Sequence, residues 1–276
     1  MFKTGIFSMK YYNTYYFSNI ISNAVLHELQ FPGSTEAYRF FLRCKTYKEF
    51  PKFSNLHSFI FFVIKETLRE DDRNWPNINK DNYINVTFQV NKLMNYHDID
   101  HLSFYQWYEK INQQTFEYWD DAATAYYQDL LEGPLLDLLK RLTDEVFYVL
   151  FQNRFLLKEF NQLIADHIRL LTFEEIEDKD ISLFEREGCL KRCYVNQWVK
   201  SAVFYRDRGH CCCCNKDLTS LISILDTEVH FDHIVPLSKG GANDISNIQL
   251  MCEGCNGRKG TESTTYNLYQ LWYSKE

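Results

Sequence analysis

The sequence predicts an α+β protein, with a mainly α-helical N-terminal domain over residues 1–190 and a small C-terminal domain over residues 191–276. Apolar residues recur at helical spacing in the first part, whereas eight of the nine cysteines lie at or beyond position 189. Six of the ten glycines lie beyond position 208, so composition also changes along the chain. A hydrophobic content of 45% over 276 residues is typical of a folded protein and is enough to bury a core without disulfides.

Helix-period patterns justify the helical part of this prediction. They cover three ranges, namely 54–69, 104–131 and 135–171. Gly133 and Pro134 separate the last two, and Ser54 is placed to cap the first. The pattern Ser182-x-x-Glu185 is typical of a helix start and predicts one more helix there. We interpret the many tyrosines and phenylalanines as core residues rather than as base-stacking groups.

Two C-x-x-C pairs define the C-terminal domain. Cys211 and Cys214 form the first pair, and Cys252 and Cys255 form the second, 37 residues further on. Each pair can sit on a tight turn that directs two thiolates at one ion, and two pairs complete the tetrahedral site of structural zinc. Zinc binding requires deprotonated thiols and is therefore linked to folding. Such a site fits a binding module as well as an enzyme, so only the residues between the two pairs can distinguish these possibilities.

The residues between and beside the pairs resemble a known family. The matching motifs are Arg206-Asp207, Gly209, Asp232-His233-Ile234-x-Pro236, Gly240-Gly241, Asn247 and Cys255-Asn256-x-x-Lys259. In this order and spacing, residues 206–260 resemble the HNH endonuclease family, whose core is a ββα-metal fold. The resemblance covers about a fifth of the chain, and residues 1–190 resemble no family that we can name.

The resemblance implies a site for phosphodiester hydrolysis. His233 is expected to act as general base, because an imidazole with a pKa near neutrality can accept a proton from water. Asp232 and Asn256 are expected to bind a catalytic Mg²⁺ or Mn²⁺ through oxygen, the ligand that hard cations prefer. Asn247 is expected either to orient the His233 ring or to brace the adjoining loop. Zinc at the four cysteines would be structural.

The charge of the chain sets conditions on DNA binding. A net charge of −7 is unlike that of a simple nucleic-acid-binding protein, and residues 196–276 carry eight basic and nine acidic side chains. Phosphate contacts must therefore come from a few basic side chains near the site rather than from an overall positive charge. Four are expected to make them, namely Arg206, Lys239, Arg258 and Lys259. Weak intrinsic affinity for DNA follows, together with a need for a protein partner or a homo-oligomer.

These observations lead to one expected function and two alternatives. The protein is expected to be a metal-dependent DNA endonuclease, acting in prokaryotic anti-phage defence or restriction under control of its N-terminal region or a partner. The alternatives are a homing or mobile-element nuclease and a non-catalytic, zinc-stabilised module that binds nucleic acid or protein. No apolar stretch approaches the roughly 20 residues of a membrane helix, and the N-terminus lacks signal-peptide features. A cytoplasmic protein with reduced thiols and no membrane contact is therefore expected.

Overall fold

The computed structural model describes residues 9–26, 40, 46–73, 78–111, 116–219 and 229–264. The chain forms two compact units, one of Met1–Ile21 with Ile60–Val146 and one of Ser22–Phe59 with Phe147–Glu276. The predicted boundary at residue 190 coincides with no edge of these units, because the second unit includes residues 147–190 together with residues 191–276. That boundary stays a prediction about the sequence.

Helices make up most of the described chain. They are α1 (Met9–Leu26), α2 (Asn55–Arg73), α3 (Gln89–Tyr96), α4 (Phe104–Lys110), α5 (Trp119–Glu132), α6 (Pro134–Leu150), α7 (Arg154–Ile168), α8 (Asp178–Ile181), α9 (Gln197–Arg206) and α10 (Glu253–Lys259). The described residues also form two antiparallel hairpins, β1 (Phe184–Arg186) with β2 (Cys189–Leu190) and β3 (Val229–His233) with β4 (Ile248–Cys252). The predicted α+β class is confirmed. Within the described ranges, no helix combines the length and apolar character that crossing a membrane requires.

Helix boundaries follow the local signals in most places. The Oγ of Ser54 accepts the backbone N–H of His57 at 3.3 Å, so the expected cap of α2 is present. Pro134 begins α6, where its missing N–H costs nothing. The pattern over 135–171 is divided at Asn153, whose side chain accepts the N–H of Leu156 at 3.1 Å and caps α7.

The helix predicted from Ser182-x-x-Glu185 is wrong. Ser182 instead follows the short helix α8, and the next residues form β1. Gly188 makes the turn to β2 with a φ of +68°, where a Cβ atom would lie 2.9 Å from the carbonyl oxygen of Arg169. The requirement for a glycine at this turn favours the hairpin over a helix.

Aromatic side chains fill the core of the first unit, although others face solvent. Tyr126, Phe88 and Phe104 are almost completely buried, with ring centroids 5.2–5.6 Å apart. The hydroxyl of Tyr126 donates to the carbonyl oxygen of Leu102 at 2.6 Å, which satisfies its polar atom in the interior. Other tyrosines, such as Tyr15, remain exposed.

A buried ion network joins α9 to β4 within the second unit. Arg206 donates from Nε and Nη2 to the two carboxylate oxygens of Asp207, both at 2.9 Å, and from Nη2 to the carbonyl oxygen of Ile248 at 2.6 Å. Asp207 also accepts the N–H of Leu250 at 2.9 Å, and Nε of Arg154 lies 3.8 Å from its other oxygen. All three charged side chains are buried, so each depends on the others for compensation.

Substitution of Asp207 by alanine is expected to lower the free energy of unfolding by about 3–5 kcal/mol, because it leaves two buried arginines without their carboxylate. Urea denaturation followed by circular dichroism measures this change. Asp166→Ala in α7 is the matched control, since its pair with Arg169 is exposed and its loss should cost less than about 1 kcal/mol. Equal destabilisation by the two variants would contradict the assignment of Asp207 as a central structural residue.

Candidate functional site

The site is built on the hairpin β3–β4 and the helix α10. In the hairpin, Val229 pairs with Cys252 and His233 pairs with Ile248, so the two strands are in register along their whole length. The helix begins at the residue after β4 and packs against both strands. Two antiparallel strands followed by one helix make the ββα arrangement expected from the resemblance.

Four cysteines converge at one end of this hairpin. Cys211 and Cys214 lie in the turn before β3, Cys252 ends β4 and Cys255 lies in α10. Their sulfur atoms all lie within 4.8 Å of one another, and those of Cys214 and Cys252 are 3.8 Å apart. A tetrahedral zinc ion with Zn–S bonds of about 2.3 Å separates its sulfurs by about 3.8 Å. The arrangement therefore fits zinc and suggests zinc binding.

Hydrogen-bond donors favour the thiolate form of Cys211, whereas burial raises the pKa of the Cys214 and Cys255 thiols. Burial alone would raise the pKa of the Cys211 thiol, but backbone N–H groups from both C-x-x-C pairs outweigh it and lower that pKa to about 7. The Nη2 of Arg258 lies 2.9 Å from the sulfur of Cys255, where its positive charge stabilises a thiolate. Zinc takes cysteine in this deprotonated form.

His233 occupies the last position of β3 and is almost completely buried. Its Nε2 lies 3.2 Å from Oδ1 of Asn243, whose Nδ2 donates to the carbonyl oxygen of Lys191 at 2.8 Å. The amide is thereby oriented with its oxygen toward the ring, so Nε2 carries the proton and Nδ1 keeps its lone pair. Burial lowers the pKa of His233 to about 4, which leaves the ring neutral at pH 7. A neutral ring whose Nδ1 has no hydrogen bond within the described residues can accept a proton, but a pKa of about 4 makes it a weaker base than the near-neutral imidazole expected from the sequence.

Asn247 braces the loop that follows β3. Its Oδ1 accepts the N–H of Val235 at 2.8 Å, and its Nδ2 donates to the carbonyl oxygens of Val235 and Ala242, both at 2.9 Å. Of the two roles expected for Asn247, these contacts are those of a brace. Asn243 contacts the ring instead, and nothing in its spacing distinguished it from the other loop asparagines.

Residues of the second unit outside the hairpin hold this loop in place. The N–H of Asn55, at the start of α2, donates to the carboxylate of Asp244 at 2.8 Å. In α7, Nδ2 of Asn161 lies 3.2 Å from Oγ of Ser246. The segment between Asn243 and Asn247 is therefore anchored from two helices outside the hairpin, which fixes the partner of His233.

Asp232 is fixed by a buried lysine. Its Oδ2 forms an ion pair with Nζ of Lys259 at 2.8 Å that lacks hydrogen-bond geometry, and this Nζ donates to the carbonyl oxygen of His233 at 2.8 Å. The Asp232 side chain keeps 18% of its surface exposed, and the other carboxylate oxygen has no hydrogen bond within the described part of the chain. That oxygen can serve a hard cation. Asn256 is half-buried on α10, one turn before Lys259.

The expected phosphate contacts need correction at two of the four cations. Arg206 and Lys259 are buried and donate to groups inside the protein, so neither is presented to a phosphate. Lys239 is exposed, 3.7 Å from the carboxylate of Glu262. Arg258 is exposed and contacts the sulfur of Cys255.

A cavity of 380 Å³ opens beside the acid and the base. Its wall includes Asp232 and His233 together with Glu185, Arg192, Ser238 and Thr261. Glu185 and Arg192 precede the cysteine-rich segment, so their part in the site could not be seen from motif spacing. Asn256 does not line this cavity.

Comparison with known proteins identifies one segment of the chain. Residues 211–262 match the family described as HNH endonuclease, which is about a fifth of the chain. No curated protein and no solved structure matches it. The predicted resemblance is confirmed for this segment, and the N-terminal region has no assignment. Residues 211–262 therefore make an HNH endonuclease domain in which four cysteines cluster as a possible zinc site.

Proposed function

We propose that the protein is a metal-dependent HNH endonuclease that hydrolyses phosphodiester bonds in DNA. One observation supports this most strongly. The neutral base His233 and the partly exposed carboxylate Asp232 line the same cavity, inside the segment that matches the HNH family. A base for water and a ligand for a hard cation are the two groups that such a hydrolysis requires.

Each residue of the site would have its own role in the hydrolysis. Nδ1 of His233 takes a proton from the attacking water, while Asn243 holds the ring through Nε2. Asp232 would hold Mg²⁺ or Mn²⁺, and Asn256 remains the expected second ligand. When bound, the cation stabilises charge on the phosphate and on the leaving oxygen. The P–O bond opposite the water breaks, which gives the 5′-phosphate and 3′-hydroxyl ends usual for the family.

Plasmid nicking tests the proposal directly. Supercoiled DNA should be nicked with added Mg²⁺ or Mn²⁺ and left intact without an added divalent cation. Asp232→Asn preserves the shape of the side chain but removes the charge that binds the cation, so the rate should fall by about 10²-fold or more. Omitting the cation is preferable to adding a chelator, because a chelator would also remove zinc from the four cysteines.

Two results would oppose this function. Failure of the wild-type protein to cleave DNA with either cation, with or without the proteins encoded beside it, would refute the nuclease assignment. Tight DNA binding that survives Asp232→Asn, without cleavage by the wild type, would favour a non-catalytic zinc module. An RNA substrate assayed in parallel establishes which nucleic acid is the substrate.

We place this activity in a cytoplasmic anti-phage defence or restriction system, with a homing or mobile-element nuclease as the alternative. The net charge of −7 supports dependence on a protein partner or a homo-oligomer, because acidic side chains outnumber basic ones and weaken the attraction to DNA phosphates. Genes next to this one test the role. An adjacent ATPase, methyltransferase or sensor gene supports defence, whereas an intron boundary supports mobility.

A further inference from the structure

The cavity wall has no basic side chain from the set that the sequence assigned to phosphate contacts. A phosphodiester is an anion, and the wall already carries the carboxylates of Asp232 and Glu185. Of the four basic residues expected to contact phosphates, none lines the cavity. Arg192 is the only lysine or arginine among the residues that line it in the described part of the chain.

The Arg192 side chain is available to a ligand. It is exposed, and within the described ranges its guanidinium has no hydrogen bond and no ion pair. Arg192 lines the same cavity as His233 and Asp232, the candidate base and the candidate cation ligand. A guanidinium in this position offers the planar fork of donors that matches phosphate oxygens.

The backbone beside Arg192 is tied to the candidate base. The N–H of Lys191 donates to the carbonyl oxygen of Leu183 at 2.9 Å, and its own carbonyl oxygen accepts Nδ2 of Asn243 at 2.8 Å. Asn243 is the same amide that accepts from the His233 ring. One side chain therefore sets both the orientation of the base and the position of the segment that contains Arg192.

A second contact fixes the preceding strand. The buried thiol of Cys189, in β2, donates to the carbonyl oxygen of Leu237 at 3.3 Å. Leu237 begins the 3-10 helix that carries Ser238, another residue of the cavity wall. Residues 189–192 are thus held against the site although they lie outside the segment that matches the family.

We propose that Arg192 binds the phosphate of the nucleic-acid substrate in this cavity, so that the active site extends beyond residues 211–262 to the strand β2 and the residues that follow it. The proposal rests on the nuclease function proposed above. Ser238 and Thr261 add hydroxyl donors on the same wall. Arg192 is then a substrate-binding residue, and Asn243 positions both it and the base.

Removal of the Arg192 charge tests the proposal, with its neighbour as matched control. Arg192→Gln should lower kcat/KM for plasmid nicking by about 10- to 100-fold, the effect of losing a charge-assisted hydrogen bond to phosphate. Lys191→Gln removes the same charge from the adjacent exposed residue and keeps both backbone hydrogen bonds, so its kcat/KM should stay within about 2-fold of wild type. Arg192→Lys keeps the positive charge without the planar fork of donors, so its kcat/KM should lie between those of Arg192→Gln and Lys191→Gln.

A binding measurement keeps the test independent of cleavage. Fluorescence anisotropy with a labelled DNA duplex, without added divalent cation, gives Kd at several salt concentrations. The slope of log Kd against log salt should decrease by about 1 for Arg192→Gln relative to Lys191→Gln. If wild type cleaves and both variants match in kcat/KM and in slope, the proposal for Arg192 is overturned. If wild type does not cleave, the nuclease function fails, and the slope alone decides whether Arg192 binds phosphate.

Discussion

Replacement of His233 by glutamine is expected to lower kcat for plasmid nicking by about 10²- to 10⁴-fold, the usual contribution of a general base. The physical reason is that His233 lines the cavity and Nδ1 is its ring nitrogen that is not bonded to Asn243, whereas an amide cannot act as a base at neutral pH. Glutamine retains an N–H donor for Asn243, so the loop should stay folded. Initial rates of nicking at saturating Mg²⁺ or Mn²⁺ measure the effect.

Two controls separate loss of the base from loss of structure. His230→Gln changes another histidine of β3, two residues earlier, and should leave kcat within a few-fold of wild type, since His230 does not line the cavity. Exogenous imidazole should restore part of the activity of His233→Ala, because a small base can enter the space that the side chain vacated. Equal kcat values for wild type and His233→Gln would show that another group takes the proton.

Local spacing was sufficient to find the parts of the site that lie close together in sequence. The C-x-x-C pairs predicted a four-sulfur cluster, because two tight turns leave few other geometries for two thiolates. Asp232 and His233 were expected from the resemblance to the HNH endonuclease family, and as adjacent residues at the end of β3 they line one cavity. The helical class followed from apolar periodicity over ranges long enough to show it.

Contacts between distant parts of the chain could not be predicted in this way. Lys259 and Arg206 were expected to contact phosphates, yet Lys259 is buried against the carboxylate of Asp232 and Arg206 is buried and donates to the carbonyl oxygen of Ile248. Arg192 and Glu185 reach the cavity only because a hairpin forms where a capping pattern predicted a helix. Tertiary pairing decided all four positions, and no local pattern encodes it.

Substitution of Cys252 by serine is expected to abolish zinc binding and to unfold the segment from Cys211 to Lys259. Structural zinc contributes about 10–16 kcal/mol of apparent binding free energy in small domains, which exceeds the stability of most folded domains. Here the four sulfurs join the turn at residues 211–214 to the end of β4 and to α10. Purified wild type should contain one zinc per chain by elemental analysis, and the variant should contain none.

The consequence for activity follows from the helix that the cluster anchors. Cys255 lies in α10 with Lys259, which holds the carboxylate of Asp232, so loss of zinc should also abolish nicking. Cys213→Ser is the matched control, because Cys213 belongs to the same cysteine run but not to the four-sulfur cluster, and it should retain zinc and activity. Limited proteolysis should cut Cys252→Ser within residues 211–259 under conditions in which Cys213→Ser stays intact. A wild-type protein without bound zinc, or a Cys213→Ser variant that loses it, would show that the ligand set is wrong.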